Sequence, residues 1–508
     1  MDDRGLSTGN PGGSPSPESL ADLIDRMAAE RPDETYLEDA RSRRVYRRSA
    51  FAAAARAWAS ALDGRGIGRG AAVLVDVADP LSFAAVHLGV IAAGRCSIPV
   101  NPELSWAEVE RLSELAGGAA LVVSDREGSG ELAGTETMRV DADAGTPEAG
   151  TERPARPTPP VADGGAALLF TSGSTGEPKG VLLPEDQLLF VARAVARHNR
   201  LVPSDRGYNP LPLFHVNAEV VGLLATLVAG ATLVLDRRFH RTGFWELLRD
   251  RRVTWLNAVP AMLAVLARGA SIDLPESLRF VRSASAPLPV AVRQAMTGVS
   301  LVVSYGMTEA ASQITATPLG EPPRDGSVGI PVGCEVAVRD AEGAVVPAGE
   351  VGNIWITGPG IVRSYLGGRA SDRFDENGWL STGDLGTIDE DGYVYLVGRS
   401  DDVINRGGEK VYPAEVEEVL LGDPRVREAV VVGRPDEVLG HVPVAYVIPT
   451  RETTATEAAE LTDALLARAA AELPRFKRPV EITVVDDVPR APTGKVQRAR
   501  VRDLAASE

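Results

Sequence analysis

Ala72-Val73-Leu74-Val75-Asp76 is a β-type run, and after Val77-Ala78-Asp79-Pro80 the chain turns to a long helical stretch, Leu81 to Ala93. This stretch decides the fold, because strand followed by helix, when repeated, builds a layered α/β domain with largely parallel strands. Outward from it the alternation continues. An Ala-rich helical segment from Phe51 to Leu62 precedes it, and Glu108 to Leu115 and Ala120-Leu121-Val122-Val123 follow. Glu127 to Asp163 interrupts the pattern; dense in Gly, Thr, Pro and Glu, it reads as a surface excursion. Alternation resumes at Ala166-Ala167-Leu168-Leu169-Phe170 and runs past Tyr305. Short β-type runs then dominate from Gly326 to Ile361 and predict a β-rich subdomain. Past Gly398 the spacing predicts a helix over Ala414 to Leu421, strands at Ala429 to Val432 and Val442 to Ile448, a helix over Glu457 to Leu473 and a strand at Glu481 to Val485. Together these make a small α+β domain.

A chain of 508 residues is long enough for several domains and a sizeable core, and its 44 % hydrophobic and 24 % charged residues are ordinary globular composition. Fifty-three Lys and Arg against seventy Asp and Glu leave a net charge of −17, a field that repels nucleic acid and anionic membranes. Any phosphate ligand therefore needs a local site. Cys96 and Cys334 are too few for a disulfide framework or a four-thiolate zinc site, which suits a reducing cytoplasm. Met1-Asp2-Asp3-Arg4 has neither the charge nor the apolar stretch of a signal peptide. Val220 to Leu235, the most apolar run, is short for a membrane span and reads as buried helix and strand.

Directly after the strand at Ala166 to Phe170 comes Thr171-Ser172-Gly173-Ser174-Thr175-Gly176-Glu177-Pro178-Lys179-Gly180. Its glycines let the backbone bend so that several N–H groups converge, and hydroxyls with Lys179 add donors, the combination a polyphosphate needs. It is not a Walker sequence, which requires Gly-Lys-Ser/Thr. The G-x-G-x-x-A of Gly64 to Ala71 precedes a strand instead of following one, so it reads as a loop and not as a dinucleotide fingerprint. A G-x-S-x-G nucleophile elbow is absent, which leaves a serine esterase unsupported.

Further along lie Tyr305-Gly306-Met307-Thr308-Glu309, Ser381-Thr382-Gly383-Asp384, Gly398-Arg399-Ser400-Asp401-Asp402, Arg406-Gly407-Gly408-Glu409-Lys410 and Pro492-Thr493-Gly494-Lys495. In this order, from about Phe51 to Arg498, the set resembles the adenylate-forming superfamily of acyl-CoA synthetases, firefly luciferase and peptide-synthetase adenylation domains. The resemblance implies a large N-terminal ATP- and substrate-binding domain over 19–398, a small mobile C-terminal domain over 399–508 and a flexible tail over 1–18. It implies that Thr171, Ser172, Gly173, Ser174, Thr175, Gly176 and Lys179 cover the ATP phosphates. Tyr305 would stack on adenine, in a pocket lined by Ser285, Ala286, Pro287 and Ser304 within reach of Gly306 and Met307. Thr308 would bond the α-phosphate and Glu309 would hold Mg²⁺, a hard cation that prefers oxygen ligands. Asp384 would accept from the ribose, with Arg399 beside it. Lys495 would stabilise charge on the reacting oxygens. Asp401 would be the hinge that exchanges Lys495 for the Gly407–Gly408 loop, the latter serving thiol attack from CoA.

The implied reaction has two halves: a carboxylate displaces pyrophosphate from ATP, then a nucleophile displaces AMP from the acyl-adenylate. Leu213-Phe214-His215-Val216-Asn217 resembles the segment whose histidine sits near the carboxylate in CoA ligases, where peptide-synthetase domains carry an aspartate for an α-amine. His215, Asn217 and Glu219 are the candidate acid-side residues, Glu219 either facing the substrate or capping a surface helix. The runs Leu278 to Ala286 and Ile404 to Val411 lean toward oxalate and other small-acid CoA ligases. Pro184-Glu185 and Ser283-Ala284-Ser285 depart from the common pattern and leave the acid open. Arg425, Arg427, Arg434, Arg475, Lys477 and Arg478 form a basic patch suited to CoA phosphates or to a carrier protein's acidic helix. The expectation is an AMP-forming ligase that activates a small organic acid with ATP and Mg²⁺ and delivers it to CoA. The alternatives are a biosynthetic adenylating enzyme that delivers to a carrier-protein thiol or an amine, activation of a non-carboxylic acid such as nitrite, and a non-catalytic nucleotide-binding regulator.

Overall fold

Each strand–helix unit foreseen around Ala72 is present in the computed structural model, which describes residues 18–126, 132, 135–141, 144–148, 158–172, 178–268, 272–368, 370–490 and 496–507. Ala72–Asp76 is a fully buried strand and Pro80–Ala92 a helix buried from Pro80 to Ile91. The helix begins where it does because Asp79 accepts the Ser82 N–H at 2.8 Å and Pro80 presets the first turn. The described chain divides into two compact units: 1–170, 180–258 and 265–281 form the first, and 171–179, 259–264 and 282–508 the second.

In the first unit a six-stranded sheet has the order Thr137–Arg139, Leu121–Ser124, Ala72–Asp76, Cys96–Pro99, Ala166–Ser172, Pro178–Pro184, and its first five strands are parallel. A second group places Trp255–Ala258, Arg206–Asn209, Thr232–Leu235 and Thr35–Asp39 side by side and parallel, edged by antiparallel Val45–Arg47. Parallel strands buried on both faces carry continuous apolar runs, as Ala72–Val75, Leu121–Val123 and Leu233–Leu235 do. The segment read as buried helix and strand is Asn217–Leu224, wound as a π-helix, then Ala225–Ala229 and the strand Thr232–Leu235. Among the described residues no helix is long and apolar enough to cross a membrane.

The second unit is mostly antiparallel, with Gly440–Pro449 and Glu481–Val484 as a parallel pair. Its β-rich part runs further than Ile361: Glu335–Arg339, Gly352–Thr357, Leu380–Ile388 and Val394–Arg399 form one four-stranded sheet. The last two strands escape a simple reading because Ser381, Thr382, Gly383 and Asp384 in one, and Gly398 and Arg399 in the other, interrupt the apolar run. After Arg399, the long hairpin Val426–Asp436 and Gly440–Pro449 organises the rest. Side chains alternate across it: Val431, Ala445 and Val447 pack with the helices Pro413–Leu421 and Ala455–Glu472, while Val430, Val432, Val444 and Tyr446 pack with Val501 and Ala505 of the helix Arg498–Ser507. The boundary foreseen at 398/399 falls inside this unit. Residues 1–17 of the foreseen tail lie outside the described residues; Glu18, counted with that tail, is fastened to Arg26 at 2.6 Å and Arg193 at 3.3 Å.

Candidate active site

Most of the motif residues fall in the second unit, and sheet register brings several of them together. Leu380–Ile388 pairs with Val394–Arg399 so that Asp384 stands directly opposite Arg399, whose Nη1 donates to Asp384 Oδ1 at 2.9 Å. The other carboxylate oxygen accepts the Tyr305 hydroxyl, delivered by the end of the strand Ser300–Tyr305. Gly383, at φ +75°, makes this approach possible, since a Cβ there would lie 3.0 Å from Arg399 Nη2. Burial, and then the adjacent Asp384 carboxylate, push the Tyr305 phenol well above its ordinary pKa, so it remains a donor.

Thr308 and Glu309 lie on a short turn just beyond that strand. The turn folds back so tightly that a Cβ on Gly306 would meet the Ser312 carbonyl oxygen at 1.4 Å, and Ala311 and Ser312 take left-handed φ of 46° and 91° to achieve it. Glu309 is buried. Its Oε1 accepts the Tyr365 hydroxyl at 2.6 Å and Arg373 Nη1 at 3.2 Å, and Arg373 is itself fixed by the Ser381 carbonyl at 2.6 and 3.0 Å. Lys179 Nζ sits 5.9 Å from the centre of the Tyr365 ring, a cation–π distance. The last residue of the phosphate-loop motif and the metal-candidate carboxylate therefore share one neighbour. Tyr365 and Arg373 have no spacing that announces them in the sequence.

Other motif residues are placed differently. Ser285, Ala286 and Pro287 lie on an exposed loop, Ser285 with a left-handed φ of 78°. Ser304 does not open onto that loop: it is buried, and its Oγ accepts Arg282 Nη2 at 2.9 Å. Burial pushes the Arg282 guanidinium pKa down to about 9; an arginine inside the apolar run Phe280-Val281-Arg282 is the signal that sequence reasoning passed over. Gly407 and Gly408 form the exposed turn between Ile404–Arg406 and Glu409–Val411, with φ of 61° and 93°. Exposed Asp401 holds Arg502 Nη1 by its carbonyl at 3.0 Å. The basic patch is partly neutralised: Arg425 pairs with Asp423, Arg434 with Glu481 and Lys477 with Glu415, leaving Arg427 and Arg475 exposed. Gly173, Ser174, Thr175, Gly176 and Lys495 lie outside the described residues, as does the side chain of Ser172.

The acid-side candidates belong to the first unit. His215 is half-buried against the Phe214 ring, and Asn217 Oδ1 accepts Asn257 Nδ2 at 3.3 Å. Glu219 is no surface cap: it is fully buried and bonded to His87. Desolvation holds the His215 imidazole below its ordinary pKa of about 6.5, so it is neutral at pH 7. The unfolded chain then keeps a proton that the folded chain has shed, so stability is full above 6.5 and falls as the pH drops through the lowered folded value. Urea midpoints between pH 7 and 5 should fall more steeply for the natural protein than for His215→Asn; parallel curves would remove the claim. Burial pushes the Cys96 and Cys334 thiols up to about 12, which keeps both protonated at neutral pH.

A magnesium site needs few protein ligands, usually one or two carboxylates beside substrate phosphates. Buried Glu309 fits, and among the described residues no group of three His, Cys, Asp or Glu side chains forms a cage for a metal.

Residues 24–366 match the AMP-binding enzyme family, and residues 415–495 match the AMP-binding enzyme C-terminal domain. The chain is 36 % identical to a sulfoacetate–CoA ligase of Cupriavidus necator, covering 96 % of this chain and 98 % of that one. It is 32 % identical to an oxalate–CoA ligase of Arabidopsis thaliana, covering 95 % and 97 %. Among solved structures, o-succinylbenzoate–CoA synthetase of Bacillus subtilis in complex with ATP and magnesium superposes with a TM-score of 0.81 at 29 % identity, over 95 % of this chain and 99 % of that one.

Proposed function

The chain belongs to the AMP-binding, adenylate-forming enzymes, and from that premise we propose that it joins a small organic acid to CoA with ATP, through an acyl-adenylate, releasing pyrophosphate and AMP. It is an AMP-forming ligase. The observation that carries the assignment of roles is the Tyr305–Asp384–Arg399 cluster, built within one unit close in sequence to the Thr308–Glu309 turn.

Asp384 binds the ribose hydroxyls by offering them the oxygens that Arg399 and Tyr305 hold in place. Tyr305 presents its ring to adenine, whose flat face suits an aromatic partner, with Ser285, Ala286 and Pro287 alongside. Thr308 bonds the α-phosphate, and the loop from Thr171 to Lys179 covers the phosphates. Magnesium, when bound at Glu309, offsets phosphate charge; Tyr365 and Arg373 keep that carboxylate oriented. The acid's carboxylate oxygen forms its bond to the α-phosphorus as the bond to pyrophosphate breaks, with Lys495 stabilising the charge that develops. The CoA thiolate then forms a bond to the acyl carbon and AMP leaves, after Asp401 has swung the Gly407–Gly408 turn into place. His215, Asn217 and Glu219 face the acid. With two free thiols, a cytoplasmic location fits this reading.

The test is acid-dependent pyrophosphate release with ATP and Mg²⁺, with and without CoA, the product identified by mass spectrometry. Thioester and AMP are expected; release that ignores CoA would move the acceptor to a carrier protein or amine. Asp384→Asn should raise the KM for ATP by about 10- to 100-fold, the loss expected when charge-assisted hydrogen bonds become neutral. An unchanged KM would take Asp384 out of the nucleotide site.

A further inference from the structure

The first unit holds a histidine–carboxylate pair that the scheme above leaves half used. His87 lies in the middle of the helix Pro80–Ala92, Glu219 on the π-wound segment Asn217–Leu224, and both are fully buried. His87 Nε2 is 2.9 Å from Glu219 Oε1, and His87 Nδ1 is 2.8 Å from the hydroxyl of buried Ser97. Phe83 stacks on the imidazole with ring centres 5.3 Å apart. With Ser97 donating to Nδ1, the Nε2–H donates to Glu219 Oε1.

The second oxygen of that carboxylate is different. Glu219 Oε2 is buried and, among the described residues, has no hydrogen-bond partner. Its flanks are Ala218, Val220, Val221 and Leu223, all buried and apolar. A lone acid in such a run is costly unless something pairs with it. The Glu219 N–H bonds the His215 carbonyl at 3.1 Å, so the carboxylate sits one turn beyond the histidine assigned to the acid. The π winding matters as well, because it re-aims the side chains of that turn relative to an α-helix.

We propose that Glu219 Oε2 receives a hydrogen-bond donor on the acyl part of the acid, a hydroxyl or an amine, and that His87, anchored by Ser97, is a positioning residue that fixes the carboxylate for it. This rests on the reading that the His215–Glu219 segment faces the acid. The consequence is a substrate class: an acid with a polar donor beyond its reacting carboxylate, where a second anionic group, such as those named for the oxalate and sulfoacetate relatives, is repelled.

The experiment measures kcat/KM for pyrophosphate release by the full chain with matched acids: acetate and glycolate, propionate with 3-hydroxypropionate and β-alanine, benzoate with its 3-hydroxy and 3-amino forms, plus oxalate and malonate. In the natural protein the donor-bearing member of at least one set should be favoured by about 10-fold or more, the discrimination a buried polar partner gives. Glu219→Leu should bring that ratio toward one, and His87→Phe should lower it, recovered in part by His87→Gln. The ratio is the readout because a general loss of activity or of fold leaves it unmoved. Glu219→Gln separates the two donors, keeping the preference for a hydroxyl and losing that for an ammonium. Equal rates within every set, a preference for oxalate or malonate, or a ratio indifferent to Glu219→Leu would overturn the proposal while the ligase reading stands. No pyrophosphate from any acid would overturn both.

Discussion

Lys495→Ala should lower acid-dependent pyrophosphate release by ~10²- to 10³-fold, the scale of losing one preorganised charge aimed at the transition state. The second half-reaction should respond differently. On the proposed mechanism, CoA-dependent consumption of a supplied acyl-adenylate would use the Gly407–Gly408 turn in place of Lys495, so it should change by no more than about threefold, within the range of a contact not made in that step. Arg490 and Val496 are bridged and Gln497 N–H donates to the Pro489 carbonyl at 2.8 Å. Val501 and Ala505 tie the helix that follows to the hairpin Val426–Asp436 and Gly440–Pro449. The exposed Gly407–Gly408 turn is a separate element of the same sheet. Single-turnover assays of each half-reaction decide the matter, and an equal fall in both would refute the division of labour.

Glu309→Gln should be nearly as damaging, and in a diagnostic way. The amide keeps the shape and an oxygen for Tyr365 and Arg373, but loses the charge a hard cation requires. We expect kcat to fall by ~10²-fold, with the Mg²⁺ concentration for half-maximal activity rising by about 10-fold or more. Tyr365→Phe removes one donor to the same carboxylate and should have a smaller effect in the same direction, about 10-fold or less. Magnesium titrations at saturating ATP separate this role from a structural one: a variant that is merely unstable would lose activity without any change in its magnesium requirement.

Much of the fold was legible because its signals are local. Ala72–Asp76 appears at its foreseen bounds, and the helix foreseen at Leu81 to Ala93 lies at Pro80–Ala92. The hairpin strands and helices past Gly398 fall within a few residues of their expected positions, since apolar alternation records which face each residue buries. The β-rich part was cut short at Ile361 because Leu380–Ile388 carries Ser381, Thr382, Gly383 and Asp384, residues whose polarity serves a site and masks the strand.

The site divides along the same line. Order and identity of the motifs, which a linear chain can carry, determined by themselves the superfamily, the α/β class and the type of chemistry. Only the tertiary structure decided which atoms meet. Register sets Asp384 opposite Arg399; a backward fold of the chain brings Tyr365 and Arg373 to Glu309; and Glu219, which reads nearly as well as a surface cap, is sealed against His87 across 132 residues of sequence. Burial and pairing depend on what packs from afar, and side-chain periodicity within one segment holds no record of its distant neighbours.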